Sequence, residues 1–458
     1  MSQPPTGNVV VIGAGIAGLS AAHELVRRKP DLDVVVVDPA ARPGGVIDSE
    51  RRDGYLCETA ADAFVDETSG SAAELCRELG VELVAASSVG ARRWVYRRGH
   101  LRLIPSSPPA LLSSDLVSIR GRLRLLVEPF ARAAPIGDET VAQFGRRRLG
   151  DEATEALLGP IVLGLFAGDA EKLSLAAALP RIAALEAEHG SLLRGLLAAR
   201  GGGDALRLVA PRDGVAALIR SLAARLGERL RLSTRAIAVE RSGHGQVVRL
   251  EGGGQLAARH VVVATPPRAA AVLVAGHDER LAARLRACPA VGVVIAHIGV
   301  APADLGHPLD GYGFLVAQDE DLRCLGCVFE STLWPGRAPG GSVLLRLLYG
   351  GARDPAVMTL TDDDLARAAE SDLERALGLR KAVTPVQITR WPHAIPQYNV
   401  GHRDWVAEVE EGASALGLVL AGSAYHGVSV NDCVRDARRI ADRVIGAPPP
   451  AAGQGVLR

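Results

Sequence analysis

Three glycines spaced Gly13-x-Gly15-x-x-Gly18, with Asp38 twenty residues further on, are arranged to hold a dinucleotide. Gly13 permits a tight turn, Gly15 lets backbone approach a pyrophosphate, and Gly18 lets a helix pack closely on a strand. Ala14, Ile16 and Ala17 complete the loop, whose unpaired N–H groups at a helix N-terminus attract phosphate charge. Asp38 is placed to accept hydrogen bonds from a ribose. Arg42-Pro43-Gly44-Gly45 follows, a second close turn that can bring a guanidinium fork to the same pyrophosphate.

The elements around these residues must position them. Val9–Ile12 reads as a buried strand, Leu19–Val26 as a helix and Val34–Val37 as a second strand ending on the acid. The C-terminal segment repeats this physics. Leu418–Ala421 reads as a strand, and Asn431–Ile445 as a helix with an apolar stripe at Val434, Ala437, Ile440, Ala441 and Val444. Gly427 ahead of it supplies flexible backbone, and a helix N-terminus there suits a ring carbonyl that gains negative charge on reduction.

Between these ends the chain changes character. Residues 91–200 carry helical spacing at Leu116–Phe130, Val141–Leu149 and Glu152–Leu163. Eight arginines between Arg92 and Arg124 face one acid, Asp115, which makes a solvated face, a carboxylate-binding patch or a surface for anionic lipid. Gly201-Gly202-Gly203 breaks the block. Beyond it lie a helix at Gly214–Leu226, strands at Leu230–Val239 and Val247–Leu250, and a buried strand at His260–Thr265. Strand-like segments across 290–350 form an antiparallel sheet suited to one wall of a cavity, and Thr361–Leu377 is a helix opened by Asp362, Asp363 and Asp364.

At 458 residues, two or three domains are expected. Hydrophobic content of 48% with 23% charged residues is that of a folded globular protein, and 52 basic against 52 acidic residues give no charge that directs it to nucleic acid. No apolar run reaches the roughly 20 residues of a membrane span, and nothing at the N-terminus reads as a secretory leader, so a cytoplasmic protein is expected. Cys324-Leu325-Gly326-Cys327 lies in an apolar run without a second pair, which favours core thiols over a metal site; no metal is expected.

Taken together, Gly13–Gly18, Arg42–Gly45, Phe144–Gly150 (FGRRRLG), Gly164–Asp169 with Glu171–Ser174 (GLFAGD-x-EKLS), Gly311–Val316, Ile395–Tyr398 (IPQY) and Ala424–Cys433 resemble the protoporphyrinogen oxidase family, of the myxobacterial type, within the FAD-containing amine oxidase superfamily. The resemblance implies an α/β fold: a discontinuous Rossmann-like FAD domain (1–90, 205–270 and 390–458), a mostly helical and membrane-docking insertion (91–204), and an antiparallel-sheet substrate domain (271–389). It implies six-electron oxidation of protoporphyrinogen IX in heme biosynthesis, with FAD carrying the electrons to O2 and giving H2O2. Coproporphyrinogen III is the nearest alternative substrate. An amine oxidase or carotenoid desaturase would share the first motif but not FAGD-x-EKLS. Peripheral contact with the inner face of the cell membrane and a homodimer are further expectations.

Residue by residue, the resemblance puts Arg93 against a substrate propionate, the Gly164 carbonyl over the macrocycle and Leu348 in the cavity wall, and the strand segment Val328–Phe329 is expected to line the same wall. It puts Ala60, Ala61, Asp62, Ala63, Ala236, Ser423, Val428, Ser429 and Val430 at the flavin. Where the family has G-P-N-S-F, this chain has Ala60-Ala61-Asp62-Ala63-Phe64. Asp62 is therefore expected to repel the more anionic substrate. Strand alternation turns Arg346 to the same face as Leu348 and Leu344, which makes it one extra propionate partner.

Overall fold

A computed structural model of the chain describes residues 8–67, 69–105, 110, 114–133, 137–199, 207–242 and 245–446. The expected break at Gly201-Gly202-Gly203 lies outside them. The β-branched runs form a five-stranded parallel sheet in the order Leu230–Arg231, Val34–Val37, Val9–Ile12, His260–Val263, Leu418–Leu420. Val9 stands opposite Val34 on one side and His260 on the other. Such runs suit a parallel sheet covered on both faces. Helices Ile16–Arg28 and Val430–Ile445 pack on each other against it. The first of them starts three residues before the expected Leu19 and runs past Val26.

The strand expected over Leu230–Val239 is two strands. Leu230–Arg231 joins the parallel sheet and Ala236–Ser242 joins a three-stranded antiparallel one. Ser233 between them takes φ +50, a left-handed turn that no continuous strand accommodates.

A seven-stranded sheet follows the order Pro385–Pro396, Ala290–Val300, Val343–Gly350, Gly326–Val328, Gly313–Val316, Trp94–Arg97, His100–Leu103. Two expectations are corrected here. The hairpin Trp94–Leu103 falls in the segment assigned to the helical insertion, yet it pairs in this sheet, closed by a tight turn at Arg98 (φ +54) and Gly99 (φ +74). Its pairing with Gly313–Val316 is parallel, so the sheet is not purely antiparallel. One face packs Phe314, Phe329, Leu345, Leu347 and Tyr349 against Leu365, Ala369 and Leu373 of helix Asp362–Leu377. The other faces the dinucleotide unit and the helical segment.

In the helical segment, Glu152–Leu163 is observed as a longer run to Phe166 with one wide turn at Thr154–Leu158 ahead of helix Gly159–Phe166. The FGRRRLG motif holds this unit together. Arg148, 2% exposed, binds Glu186 and Glu128, and Arg147 binds Glu139 and Glu186. Glu128 in turn accepts from Ser191 Oγ and the N–H groups of Leu192 and Leu193.

Candidate active site

Each fingerprint glycine has its own reason. Gly13 turns the chain at φ +113. A Cβ on Gly18 would lie 2.0 Å from the Gly13 carbonyl oxygen, so only glycine lets helix meet strand here. A Cβ on Gly15 would meet nothing within 4 Å; it would project into the open cradle before the helix N-terminus, where a pyrophosphate would sit. Asp38 Oδ2 accepts from the Ala14 N–H at 2.7 Å and Oδ1 from the Ala40 N–H at 2.8 Å. Ala236 is half-buried at the start of its strand, just beyond Thr234, whose N–H binds the Asp38 carbonyl.

Arg42 is directed differently from expectation. Its guanidinium donates to the Ile47 and Gly45 carbonyls and pairs with Asp48 at 3.2 Å. It closes its own turn, which the Gly44 N–H locks onto the Ala14 carbonyl at 2.7 Å, bringing Gly45 beside Gly15.

The closing helix starts at a reciprocal cap between Ser429 and Asp432, with Gly427 ahead of it at φ +128. Tyr398 of IPQY ties this turn: its hydroxyl donates to the Ser423 carbonyl at 2.6 Å and accepts from the Gly427 N–H at 2.9 Å. A cavity of about 330 Å³ opens there, lined by Phe166, Tyr398, His402, Tyr425, Gly427 and Val428. Tyr398, His402, Trp405 and Tyr425 stack in succession. His402 Nε2 and the Tyr425 hydroxyl are buried without a partner among the described residues. Flat aromatic walls with unused polar atoms, the Gly15 cradle and the N-terminus of the closing helix fit a flavin dinucleotide. Val428, Ser429 and Val430 would hold its ring end, and residues 13–18 with Asp38 its nucleotide end.

Ala60, Ala61, Asp62 and Ala63 form a half-buried loop between the dinucleotide unit and the large sheet. Two side chains missed as anchors fix it: Trp391 Nε1 donates to the Thr59 carbonyl at 2.7 Å, and Arg346 Nη2 donates to the Ala60 carbonyl. Arg346 Nη1 also lies 3.3 Å from Asp62 Oδ1. The expected bare negative charge at Asp62 is thus corrected to an ion pair across the domain junction.

Register assigns the faces of the sheet. Val328, Arg346, His297 and Gln387 stand side by side across four strands, and Leu348 lies beside Gly326 and Ile295 one row on. Leu348, Ile295, Val293 and Ile395 meet Leu163 of the Gly159–Phe166 helix and Ala167 just after it in one apolar cluster. Gly164 is exposed there, and a Cβ on it would come 2.9 Å from Leu315 Cδ2. Arg93 is exposed, with its guanidinium over the Tyr312 ring, 5.3 Å from the centroid. Phe329 is a correction. It is fully buried on the opposite face with Phe314 and His307, because alternation gives this face to Val328 instead. Leu345 and Tyr349 turn away with it. Cys324 and Cys327 are buried.

A dinucleotide cradle joined to a sheet whose charged and apolar rows face a helical cover defines an FAD-dependent oxidoreductase. The chain belongs to the flavin containing amine oxidoreductase family, whose pattern matches residues 16–445. It is 29% identical over 93% of its length to the coproporphyrinogen III oxidase of Bacillus subtilis, covering 95% of that protein. It is 32% identical over 95% of its length to the chloroplastic protoporphyrinogen oxidase of Nicotiana tabacum, covering 85%. A crystal structure from Exiguobacterium sp. 255-15, proposed to be a protoporphyrinogen oxidase, superimposes with a TM-score of 0.83 at 25% identity, covering 96% of this chain and 99% of that one.

Proposed function

We propose that this enzyme oxidises a porphyrinogen to the porphyrin in heme biosynthesis, with protoporphyrinogen IX as substrate and coproporphyrinogen III as the alternative. The observation that carries this reading is the sheet face itself. A row of Leu348, Ile295 and Gly326 under Leu163 suits a flat apolar macrocycle, with Arg346 in the adjacent row and Arg93 exposed over Tyr312 as cations for carboxylates. The flavin held there would supply the hydride acceptor for three two-electron oxidations, with O2 taking up the electrons as H2O2. The chain's own part is orientation and exclusion of water: Trp391 and Arg346 hold the 59–63 loop, Tyr398 holds the turn before the closing helix, and helix Gly159–Phe166 covers the sheet. Because Arg346 must share its charge with Asp62, Arg93 is the one of the two without an acid partner among the described residues; that supports the less anionic substrate. The test is anaerobic mixing of purified protein with each porphyrinogen. Flavin absorbance at the long-wavelength band should bleach with both, faster with protoporphyrinogen IX; no bleaching with either sinks the reading.

Among the described residues, no helix is long and apolar enough to cross a membrane. Peripheral contact is supported by helix Ile119–Leu126 and the turn after it, which expose Ile119, Leu123, Leu126, Val127 and Phe130 (84% exposed) as one helical stripe beside Arg120 and Arg122. Phe130→Glu with Leu123→Glu should abolish sedimentation with anionic vesicles, and retained binding would remove this face from the account.

A further inference from the structure

Behind the Asp62–Arg346 pair lies a set of buried charges that hydride transfer does not use. Glu58 and Glu330 are 0% exposed and Arg337 is 2% exposed. Arg337 pairs with Glu58, which also accepts from Ser49 Oγ at 2.6 Å and from the Val215 N–H at 3.0 Å. Both oxygens of Glu330 lack any hydrogen-bond partner among the described residues, as does Asp62 Oδ2. Two guanidinium groups therefore face three carboxyls. With all five ionised the cluster would carry an uncompensated negative charge in a dry interior, so one carboxyl must hold a proton. Burial raises Glu58 as well, but Glu58 has an ion pair and two further donors, whereas Glu330 has none.

Resting on the porphyrinogen reading, we propose that Glu330 is a positioning residue whose proton sets the charge of the substrate face, so that a substrate carboxylate is accepted at Arg346 only while Glu330 is protonated. With Glu330 neutral, a propionate arriving at Arg346 is the third negative group at two cations; with Glu330 ionised it is the fourth. If Glu330 has already lost its proton, that fourth charge has no counterpart and binding weakens; if it is neutral, Arg346 can be shared between Asp62 and the propionate.

The neighbours His297, Cys57 and Tyr312 titrate on either side of the transition. Burial first, then Asp62, pushes the Glu330 carboxyl up to about 8, against the pull of Arg337 and Arg346. Burial holds His297, beside Arg346, well below the usual imidazole range. It pushes the Cys57 thiol up to about 12, and Asp62 with burial raises Tyr312 far above its ordinary value. Propionates are ionised throughout, as ordinary carboxyls are.

The test is KM and kcat for the preferred porphyrinogen from pH 6.5 to 9.5 in wild type and Glu330→Gln, each with its FAD. For wild type, KM should be flat to about pH 8 and then rise roughly tenfold per pH unit, with kcat changing little. Glu330→Gln, which resembles the protonated carboxyl, should hold its KM flat across the range. A wild-type KM that stays flat, or a rise that persists in Glu330→Gln, overturns the proposal and leaves the porphyrinogen reading intact; a wild type that oxidises neither porphyrinogen takes both down. Should the variant not fold, calorimetry of product porphyrin binding to wild type at pH 8.5, in buffers of different ionisation enthalpy, decides. Uptake of about half a proton or more per porphyrin supports the proposal, and none overturns it.

Discussion

Asp38 Oδ2 lies 2.7 Å from the Ala14 amide nitrogen and accepts its hydrogen, so the acid at the end of the second strand holds the glycine loop of the first. The carboxylate sets the loop that opens at Gly15, where backbone would meet a pyrophosphate. A Cβ at Gly15 would meet no protein atom within 4 Å, so Gly15→Val should fold with near-native thermal stability and purify without yellow colour. A full complement of FAD in that variant would show that the cradle is not the dinucleotide site.

Arg93, exposed over the Tyr312 ring, should act on substrate and not on flavin. Losing a charge-assisted contact costs about 1.5–3 kcal/mol. Arg93→Ala should therefore raise KM roughly tenfold or more while flavin content per chain stays constant; an unchanged KM would make it a solvated surface residue.

Asp62→Asn leaves Arg346 without its acid partner. The freed guanidinium should favour the substrate with more carboxylates, raising kcat/KM for coproporphyrinogen III by about fivefold relative to protoporphyrinogen IX, the worth of about 1 kcal/mol. Steady-state kinetics with both substrates on both proteins gives the ratio, and an unmoved ratio would separate Asp62 from substrate choice.

Arg148 and Arg146 are neighbours with opposite expectations. Arg148 is buried between Glu186 and Glu128, whereas Arg146 pairs with Glu171 at the surface. Removing one member of a buried pair costs about 3–5 kcal/mol, so Arg148→Ala should lower Tm by roughly 5–10 °C. Arg146→Ala should shift it by little, as exposed pairs contribute about 0–1 kcal/mol. Equal shifts would refute the assignment of the core of the helical unit.

His402 shapes the acid limb of stability. Burial first, then His426, lowers its pKa to about 4, against about 6.5 in the unfolded chain. The unfolded chain thus takes up the proton first, and the stability of the neutral, stacked ring is lost as pH falls from about 6.5 towards 4. In His402→Gln, thermal unfolding should decline less steeply over that window; an identical slope would assign the acid limb to other groups.

The sequence by itself determined whatever depends on neighbours along the chain. The turn, cradle and close-packing roles of Gly13, Gly15 and Gly18, the strands Val9–Ile12 and Val34–Val37, and the closing helix follow from glycine sterics and apolar spacing within some thirty residues. Alternation along Val343–Gly350 was equally legible, which is why Arg346 and Leu348 share a face. Tertiary structure decided what depends on partners far away in sequence. It paired Arg346 with Asp62 across the domain junction, drew the hairpin Trp94–Leu103 into the large sheet, sent Phe329 to the opposite face and turned Arg42 inward on its own turn. No local pattern encodes which strand lies beside which, and a one-residue change of register exchanges the two faces of a strand. The burial of Glu330 is of this kind: strands and a loop from elsewhere in the chain deprive its carboxyl of water.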